Sequence, residues 1–424
     1  NKFQFLLKNN TYNMNYEIEQ CFSVPKERKH LYGEVATDFK IIDIMLDMLP
    51  DTVWTNPDLK WLDVGCGQGY ISYAILKRLE KSLLNRFENV KQCREHIIMN
   101  MLFMIEINEF HKTRLVELFG ENANIIIDNV INPTTKNLLV DIVVENPPYN
   151  INGLIKTPTN CETKKKNDGV CVWRDFLRAS RTYLKENGII CAITPAIWLR
   201  NDKLQTYKFI FDFFDLLKCR CFSADETNKM FHGKAQTPTS IFTIQKREII
   251  NQEKWLTSLF WDKDCYVNYH FKRGSPIPLK NYRFISKIRE NLDTNGHLSV
   301  IKTNCLSSLN KVVPDENKDF PFIAIRSRSR KGDIVYEYCK KPTKYQHEPK
   351  IIMANKMFGM PFIDSAGVYG ISTRDNYVII GKSTEEMIKI KKYIESDLVQ
   401  TIFDSFRYRM RYLEREAFLF VPNN

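Results

Sequence analysis

The stretch Asp141-Ile-Val-Val-Glu-Asn146-Pro147-Pro148-Tyr149-Asn150 holds the residues best suited to chemistry. The run from Leu138 to Val144 is apolar and β-branched, which predicts a buried strand. Pro147 and Pro148 then forbid both strand and helix, so the chain must turn rigidly at the strand's carboxyl end. In open α/β sheets ligands bind at that end. Asn146 and Tyr149 are therefore expected at the edge of a site.

These residue types suit transfer to a planar exocyclic amine. The lone pair of adenine N6 is delocalised into the ring, so the amine is a poor nucleophile. Two acceptors, the Asn146 side-chain oxygen and a backbone carbonyl expected to be that of Pro147, can bind its two N–H groups and localise the lone pair. The Tyr149 ring offers a flat base a stacking face, worth about 1–3 kcal/mol. The two prolines hold this geometry without induced movement. No general base is needed before transfer, and no metal ligand is expected. The competing reading is a strand-terminating turn whose asparagine caps and whose tyrosine packs.

The tetrapeptide resembles the Asn-Pro-Pro-Tyr motif of the amino methyltransferases, which act on adenine N6 and, in related forms, on cytosine N4 or protein glutamine. The elements around it must then position a methyl donor. Phe39 to Leu49 has the periodicity of an amphipathic helix stopping at Pro50, with Thr37 or Asp38 as its N-cap. The preceding Tyr32-Gly33-Glu34-Val35-Ala36-Thr37-Asp38 is similar to the family's Gly-Glu-Val-Phe-Thr-Pro segment, with Ala36 for Phe and Asp38 for Pro. That similarity implies that Thr37 lines the methionine end of the cofactor.

Lys60-Trp61-Leu62-Asp63-Val64-Gly65-Cys66-Gly67-Gln68-Gly69 reads as a strand entering a glycine loop, followed by a helical run from Tyr70 to Leu79. Glycines allow positive φ and close approach of a ligand to the backbone. Tyr70 stands where a dinucleotide fingerprint would need glycine, which argues against a nicotinamide cofactor. The loop instead resembles the first motif of class I S-adenosylmethionine methyltransferases. That implies a cradle of Gly65, Gly67 and Gly69, with Asp63 orienting the amino acid moiety. Met101 to Asn108 reads as a second strand ending near Glu106, an acceptor suited to ribose hydroxyls. The long interval from Gly69 to Glu106 implies a helical insertion around residues 80–97. Asn124 to Ile127 reads as a third strand. The resemblance makes Asp128, with Asn129 beside it, the acceptor for the cofactor's adenine amine.

Residues 151–169 read as a polar loop at the mouth of the site, where Lys164 and Lys165 meet either a phosphate or solvent. Val172 to Leu184 reads as a helix with a C-cap at Asn187-Gly188, and Ile189 to Pro195 as a buried strand. Trp173 and Trp198 are expected in the core. Phe209–Phe214, Leu216–Cys221 and Thr237–Ile244 are expected to finish the sheet, with Phe231-His232-Gly233 walling a base pocket. This run resembles restriction-associated adenine methyltransferases over residues 30–247. Its motif order, cofactor motifs before the tetrapeptide and a long region after it, is that of the γ-type enzymes.

The 424 residues suffice for two or three domains. Hydrophobic residues are 43% and charged residues 26%, ordinary for a globular protein, and the net charge of +12 favours an anionic partner. The 11 cysteines show no Cys-x-x-Cys spacing, so free thiols in a reducing compartment are expected, and no apolar run reaches membrane-spanning length. Beyond residue 250 the alternating strand–helix pattern gives way to short β-rich pieces with basic clusters. Arg326, Arg328, Arg330, Lys331, Lys356 and Arg374 suit phosphate and base-edge contacts, with Lys350, Arg407, Arg409, Arg411 and Arg415 further along.

The expected fold is α/β: a class I methyltransferase, Rossmann-like, mostly parallel sheet flanked by helices, plus a mixed α+β target recognition domain. Residues 1–25 are read as an arm, 26–250 as the catalytic domain and 251–424 as the recognition domain. The expected reaction moves a methyl group from S-adenosylmethionine to N6 of a flipped-out adenine in double-stranded DNA, leaving S-adenosylhomocysteine. The site is expected in the cytoplasm of a bacterial or virus-infected cell, on a monomer or dimer, away from membranes. The resemblance leaves room for a cognate restriction endonuclease acting separately. RNA adenine, protein glutamine and a non-catalytic nucleic-acid binder stand as alternatives.

Overall fold

A computed structural model describes Tyr32 and residues 37–134, 137–153, 168–233, 235, 237–247, 254–303, 312–315, 318–328, 333–355, 360–372, 376–410 and 412–423. The chain divides into two compact units, Asn1–Trp261 with His270–Ser275, and Asp262–Tyr269 with Pro276–Asn424.

The first unit begins with helix α1, Phe39–Leu46, capped by the Asp38 carboxylate accepting from Lys40 N at 2.8 Å. Its Phe39, Ile41, Ile42, Met45 and Leu46 are buried, the stripe that the sequence period prescribes. Strand β1, Trp61–Val64, is buried throughout and runs into helix α2, Tyr70–Leu83. The expected insertion contains α3, Val90–His96, and one π-helical stretch, Ile97–Met101, before β2, Leu102–Glu106. Helix α4, Lys112–Phe119, leads to β3, Asn124–Ile127, and then β4, Val140–Glu145, which ends directly at Asn146.

A hairpin of β5, Asn150–Gly153, and β6, Asp168–Cys171, brackets the polar segment after the tetrapeptide. Then come α5, Trp173–Tyr183, β7, Leu184–Pro195, α6, Thr206–Phe213, β8, Phe214–Phe222, α7, Ala224–Met230, and β9, Thr239–Lys246. The hairpin strands β10, Trp255–Asp262, and β11, Cys265–Lys272, extend the sheet, whose order is β11-β10-β8-β9-β7-β4-β1-β2-β3. β1, β2, β3, β4 and β7 pair in parallel, while β9 runs antiparallel between β7 and β8. This is the expected class I methyltransferase arrangement. The strand order switches direction between β1 and β4, so their carboxyl ends open the crevice where such folds take ligands.

Two local expectations are corrected. Asn187-Gly188 does not cap α5, which ends at Tyr183. The pair lies inside β7, at an excursion where the β4 register jumps from Leu184 opposite Val140 to Ile189 opposite Ile142. Asn187 has φ 62°, and a Cβ on Gly188 would meet Leu184 Cγ at 2.7 Å and the Asp141 carbonyl at 2.9 Å. A left-handed asparagine followed by glycine marks a bulge as readily as a cap. Phe209 to Phe213 is helix α6, not strand, because Tyr207, Ile210 and Phe211 face the core at helical spacing. The expected domain boundary at 250 falls before the β10–β11 hairpin that widens the sheet. Trp173 and Trp198 are fully buried, as expected of core residues.

The second unit holds α8, Tyr282–Asn295, then β12, Ile301–Lys302, β13, Val312–Val313, β14, Phe322–Arg328, β15, Ile334–Cys339, β16, Lys350–Ala354, β17, Pro361–Asp364, β18, Gly370–Ile371, and β19, Asn376–Ile380. They form two four-stranded sheets, β12-β19-β16-β17 and β13-β15-β14-β18, around Ile325, Tyr345, Ile352, Ile371 and Val378. Helices α9, Thr384–Ile394, and α10, Asp397–Ser405, follow. Among the described residues no helix is long and apolar enough to cross a membrane.

Candidate active site

The glycine loop after β1 is held from below by β2. Gly65 N and Cys66 N both donate to the Ile105 carbonyl, at 2.9 and 3.0 Å. Gly67 N donates to Glu106 Oε2 at 2.8 Å, and Asn108 N to Glu106 Oε1 at 2.8 Å. Glu106 therefore ties the loop to the end of β2 while remaining at the crevice. Gly67 has φ 53° and open space where a Cβ would stand, a cradle that only a residue without a side chain leaves vacant.

Asp63 is 1% exposed and accepts from both Ser72 N and Ser72 Oγ through Oδ2, at 3.0 and 2.6 Å. Its Oδ1 has no hydrogen-bond partner. Burial pushes its carboxyl up to about 7, against the pull of the two Ser72 bonds, with the Glu106 charge adding to the rise.

At the end of β3, Asp128 accepts from Asn129 N at 2.7 Å and from Thr134 N at 2.9 Å. Asn129 Oδ1 accepts from Ile131 N at 2.9 Å. Both side chains thus shape the loop from 128 to 134.

Asn146 is half-buried, and its Nδ2 donates to Thr37 Oγ1 at 2.7 Å. Thr37 is thereby brought to the tetrapeptide itself. Asp38, next along, has its Oδ2 3.3 Å from His232 Nε2, on the turn Phe231-His232-Gly233. Pro147 is buried, and Pro148 and Tyr149 are half-buried. The Tyr149 hydroxyl is buried without a hydrogen-bond partner, and burial pushes its ionisation far above the usual range.

Sequence reasoning passed over Glu145, the last residue of β4. It is wholly buried, and Ser180 Oγ on α5 donates to its Oε2 at 2.5 Å, while Oε1 has no partner. The available signal was a lone carboxylate in the apolar run Ile142-Val143-Val144-Glu145. Burial pushes Glu145 up to about 7 from 4.5, against the Ser180 bond. Between about pH 4.5 and 7 the native state then holds a proton that the unfolded chain has lost, so stability falls as pH rises through this window. The deficit, roughly 3 kcal/mol for such a shift, is complete above pH 7. Glu145→Gln is expected to stabilise the protein at pH 8 and to leave it near wild type at pH 4.5, read by urea unfolding. An equal change at both pH values would show that the carboxyl does not titrate in this window.

In the second unit, Arg326 is exposed on β14, and Arg328 ends that strand. Lys164, Lys165, Arg330, Lys331, Lys356, Arg374 and Arg411 lie outside the described residues. Three other basic residues are placed differently from expectation. Lys350 is fully buried against Asp364 at 2.6 Å. Arg407 pairs with Asp404 at 2.7 Å, and Arg409 with the buried Glu414 at 2.6 Å. Lys350 and Arg409 serve the fold rather than a surface, because a charge taken out of water must find its counter-charge inside, whereas Arg407 pairs with an exposed aspartate.

Residues 28–226 match the Eco57I restriction-modification methylase family. Eighty residues are 38% identical to an "Uncharacterized adenine-specific methylase" of Mycoplasma pneumoniae (strain ATCC 29342 / M129 / Subtype 1), taking in 18% of this chain and 19% of that one. The type IIG restriction endonuclease BpuSI aligns over 92% of this chain and 59% of its own, with 14% identity and a TM-score of 0.44. The ATP-dependent Type ISP restriction-modification enzyme LlaBIII, solved bound to DNA, aligns over 82% and 33%, with 12% identity and a TM-score of 0.47. The chain thus spans less than two thirds of each of these relatives. The segment 28–226 that resembles the Eco57I restriction-modification methylase family holds Thr37, Asp63, Glu106, Asp128 and Asn146.

Proposed function

We propose that this chain is a site-specific DNA methyltransferase acting on adenine N6, with S-adenosylmethionine as methyl donor. The observation that carries the reading is the pairing of two loops across the sheet's switch point. The acid–glycine loop follows β1, and Asn146-Pro147-Pro148-Tyr149 follows its parallel neighbour β4. The family match over 28–226 supports the same reading.

The residues of the crevice fit the donor. Asp63 Oδ1 lacks a donor and the Gly67 backbone stands open, while Glu106, tied to that loop, would accept from the ribose hydroxyls. Asp128 and Asn129 would flank the adenine end. When bound, S-adenosylmethionine supplies an electrophilic methyl group on its sulfonium.

The chain's own residues then orient the acceptor. The Asn146 oxygen and the Pro147 carbonyl take the two N6 hydrogens and localise the lone pair. Tyr149 stacks on the base. The amine's proton leaves after transfer, when the nitrogen has become acidic, so solvent can take it. Orientation and fixed dipoles supply the rate enhancement. A base in duplex DNA must leave the stack first, at about a few kcal/mol. Phosphate contacts by the second unit, with Arg326 its described exposed representative, would offset this.

The test uses the purified chain, S-adenosylmethionine and unmethylated genomic DNA, with modified bases read by single-molecule sequencing. N6-methyladenine confined to one short motif is the expected result. An absence of modified bases in DNA, with cofactor binding intact, would overturn the DNA assignment and direct the search to RNA and then protein.

A further inference from the structure

We propose that Thr37 is a positioning residue for Asn146, its hydroxyl bonding the side-chain amide and holding it at the end of β4 against the target amine. The inference rests on the methyl-transfer reading and deepens it. An asparagine amide has nearly the same shape in its two orientations, but opposite chemistry. With its oxygen toward the site it accepts from the substrate N–H. Flipped, it sets an NH2 against an NH2, two donors with no acceptor between them. A hydroxyl can pair with either face of the amide, so Thr37 fixes where the amide stands, and the target's two N–H groups favour the orientation with its oxygen toward them.

The contact is there: Asn146 Nδ2 lies 2.7 Å from Thr37 Oγ1, across 109 residues of chain. Thr37 is itself held. It is only 7% exposed, and it precedes Asp38, whose extended backbone and carboxylate cap α1. The second Asp38 oxygen meets His232 at 3.3 Å, and the α1 stripe of Phe39, Ile41 and Ile42 anchors the segment in the core. The hydroxyl that holds the amide therefore stands one residue before a helix cap. A side chain locked in this way reduces the reorganisation left for the reacting complex.

The role differs from that of a cofactor contact, and the two separate experimentally. Thr37→Val keeps the shape and removes the acceptor; Thr37→Ser keeps the acceptor. S-adenosylmethionine affinity is measured by calorimetry and single-turnover methylation at saturating cofactor. Thr37→Val is expected to lower the single-turnover rate about 10- to 100-fold, the range for removing one partner of a buried hydrogen bond, with affinity within about threefold. Thr37→Ser should restore the rate to within about threefold. A Thr37→Val enzyme that binds cofactor poorly yet turns over normally once saturated would overturn the proposal. So would one in which neither quantity changes.

A second readout does not need activity. In asparagine-labelled protein, the Asn146 side-chain NH2 should exchange slowly with solvent in the wild type and in Thr37→Ser, and rapidly in folded Thr37→Val. If the wild type methylates no nucleic acid, the functional reading fails, and the exchange rates still decide whether Thr37 holds the amide. Fast exchange in the wild type would overturn the contact.

Discussion

Asn146→Ala is expected to lower single-turnover methylation roughly 10²–10³-fold, the loss typical of removing one preorganised group from a polar transition-state site. Cofactor affinity should stay within a few-fold. The reason is positional. Asn146 stands at the carboxyl end of β4, whereas the glycine loop is held by Ile105 and Glu106 on the far side of β1. Removing the side chain takes away an acceptor for the target amine and leaves Thr37 without its donor, but it touches no bond of that loop. Asn146→Asp separates shape from donor character: the carboxylate still accepts from the amine, and the Thr37 hydroxyl can donate to it. It is expected to keep more activity than Asn146→Ala. Undiminished methylation by Asn146→Ala would remove Asn146 from the chemistry and return the tetrapeptide to the status of a rigid turn.

The second large effect is expected at Glu106. Its carboxylate accepts from Gly67 N and Asn108 N, both at 2.8 Å, and it is 6% exposed. Hydrogen bonds to a charged group contribute about 1.5–3 kcal/mol each, and a buried N–H left without an acceptor costs about 1–3 kcal/mol. Glu106→Ala frees the glycine loop at its middle and removes the acceptor offered to the ribose. Calorimetry with S-adenosylmethionine should show an affinity about 100-fold or more below wild type, together with a lower melting temperature. Glu106→Gln can satisfy one of the two N–H groups, so it should fall between. If Glu106→Ala binds cofactor as tightly as wild type and only melts earlier, Glu106 is a strand-end tie and the ribose contact lies elsewhere.

These two expectations depend on different levels of the molecule. The strand end at Asn146 was legible from four letters, because two prolines after a β-branched run leave the chain few conformations. Asp63 and the glycines were legible for a similar reason: a strand, a left-handed loop and a helix leave a local pattern of residue types. Element types followed wherever hydrophobic period and caps agreed, as in α1, β1 and α9. Errors came where one local signal serves two structures. Asn187-Gly188 suits a bulge as well as a cap, and the aromatic run at Phe209–Phe213 suits a helix as well as a strand.

What the sequence by itself determined was the order of the motifs and the chemistry each could support. What only the tertiary structure decided was which side chains meet. Thr37 and Asn146 are joined across 109 residues, and Lys350 lies buried against Asp364 rather than on a basic surface. Glu145 closes on Ser180 of α5. The physical reason is the same in each case. Strand and helix propensities act over a few residues, whereas a hydrogen bond or a buried charge is satisfied by whatever the sheet order brings alongside it.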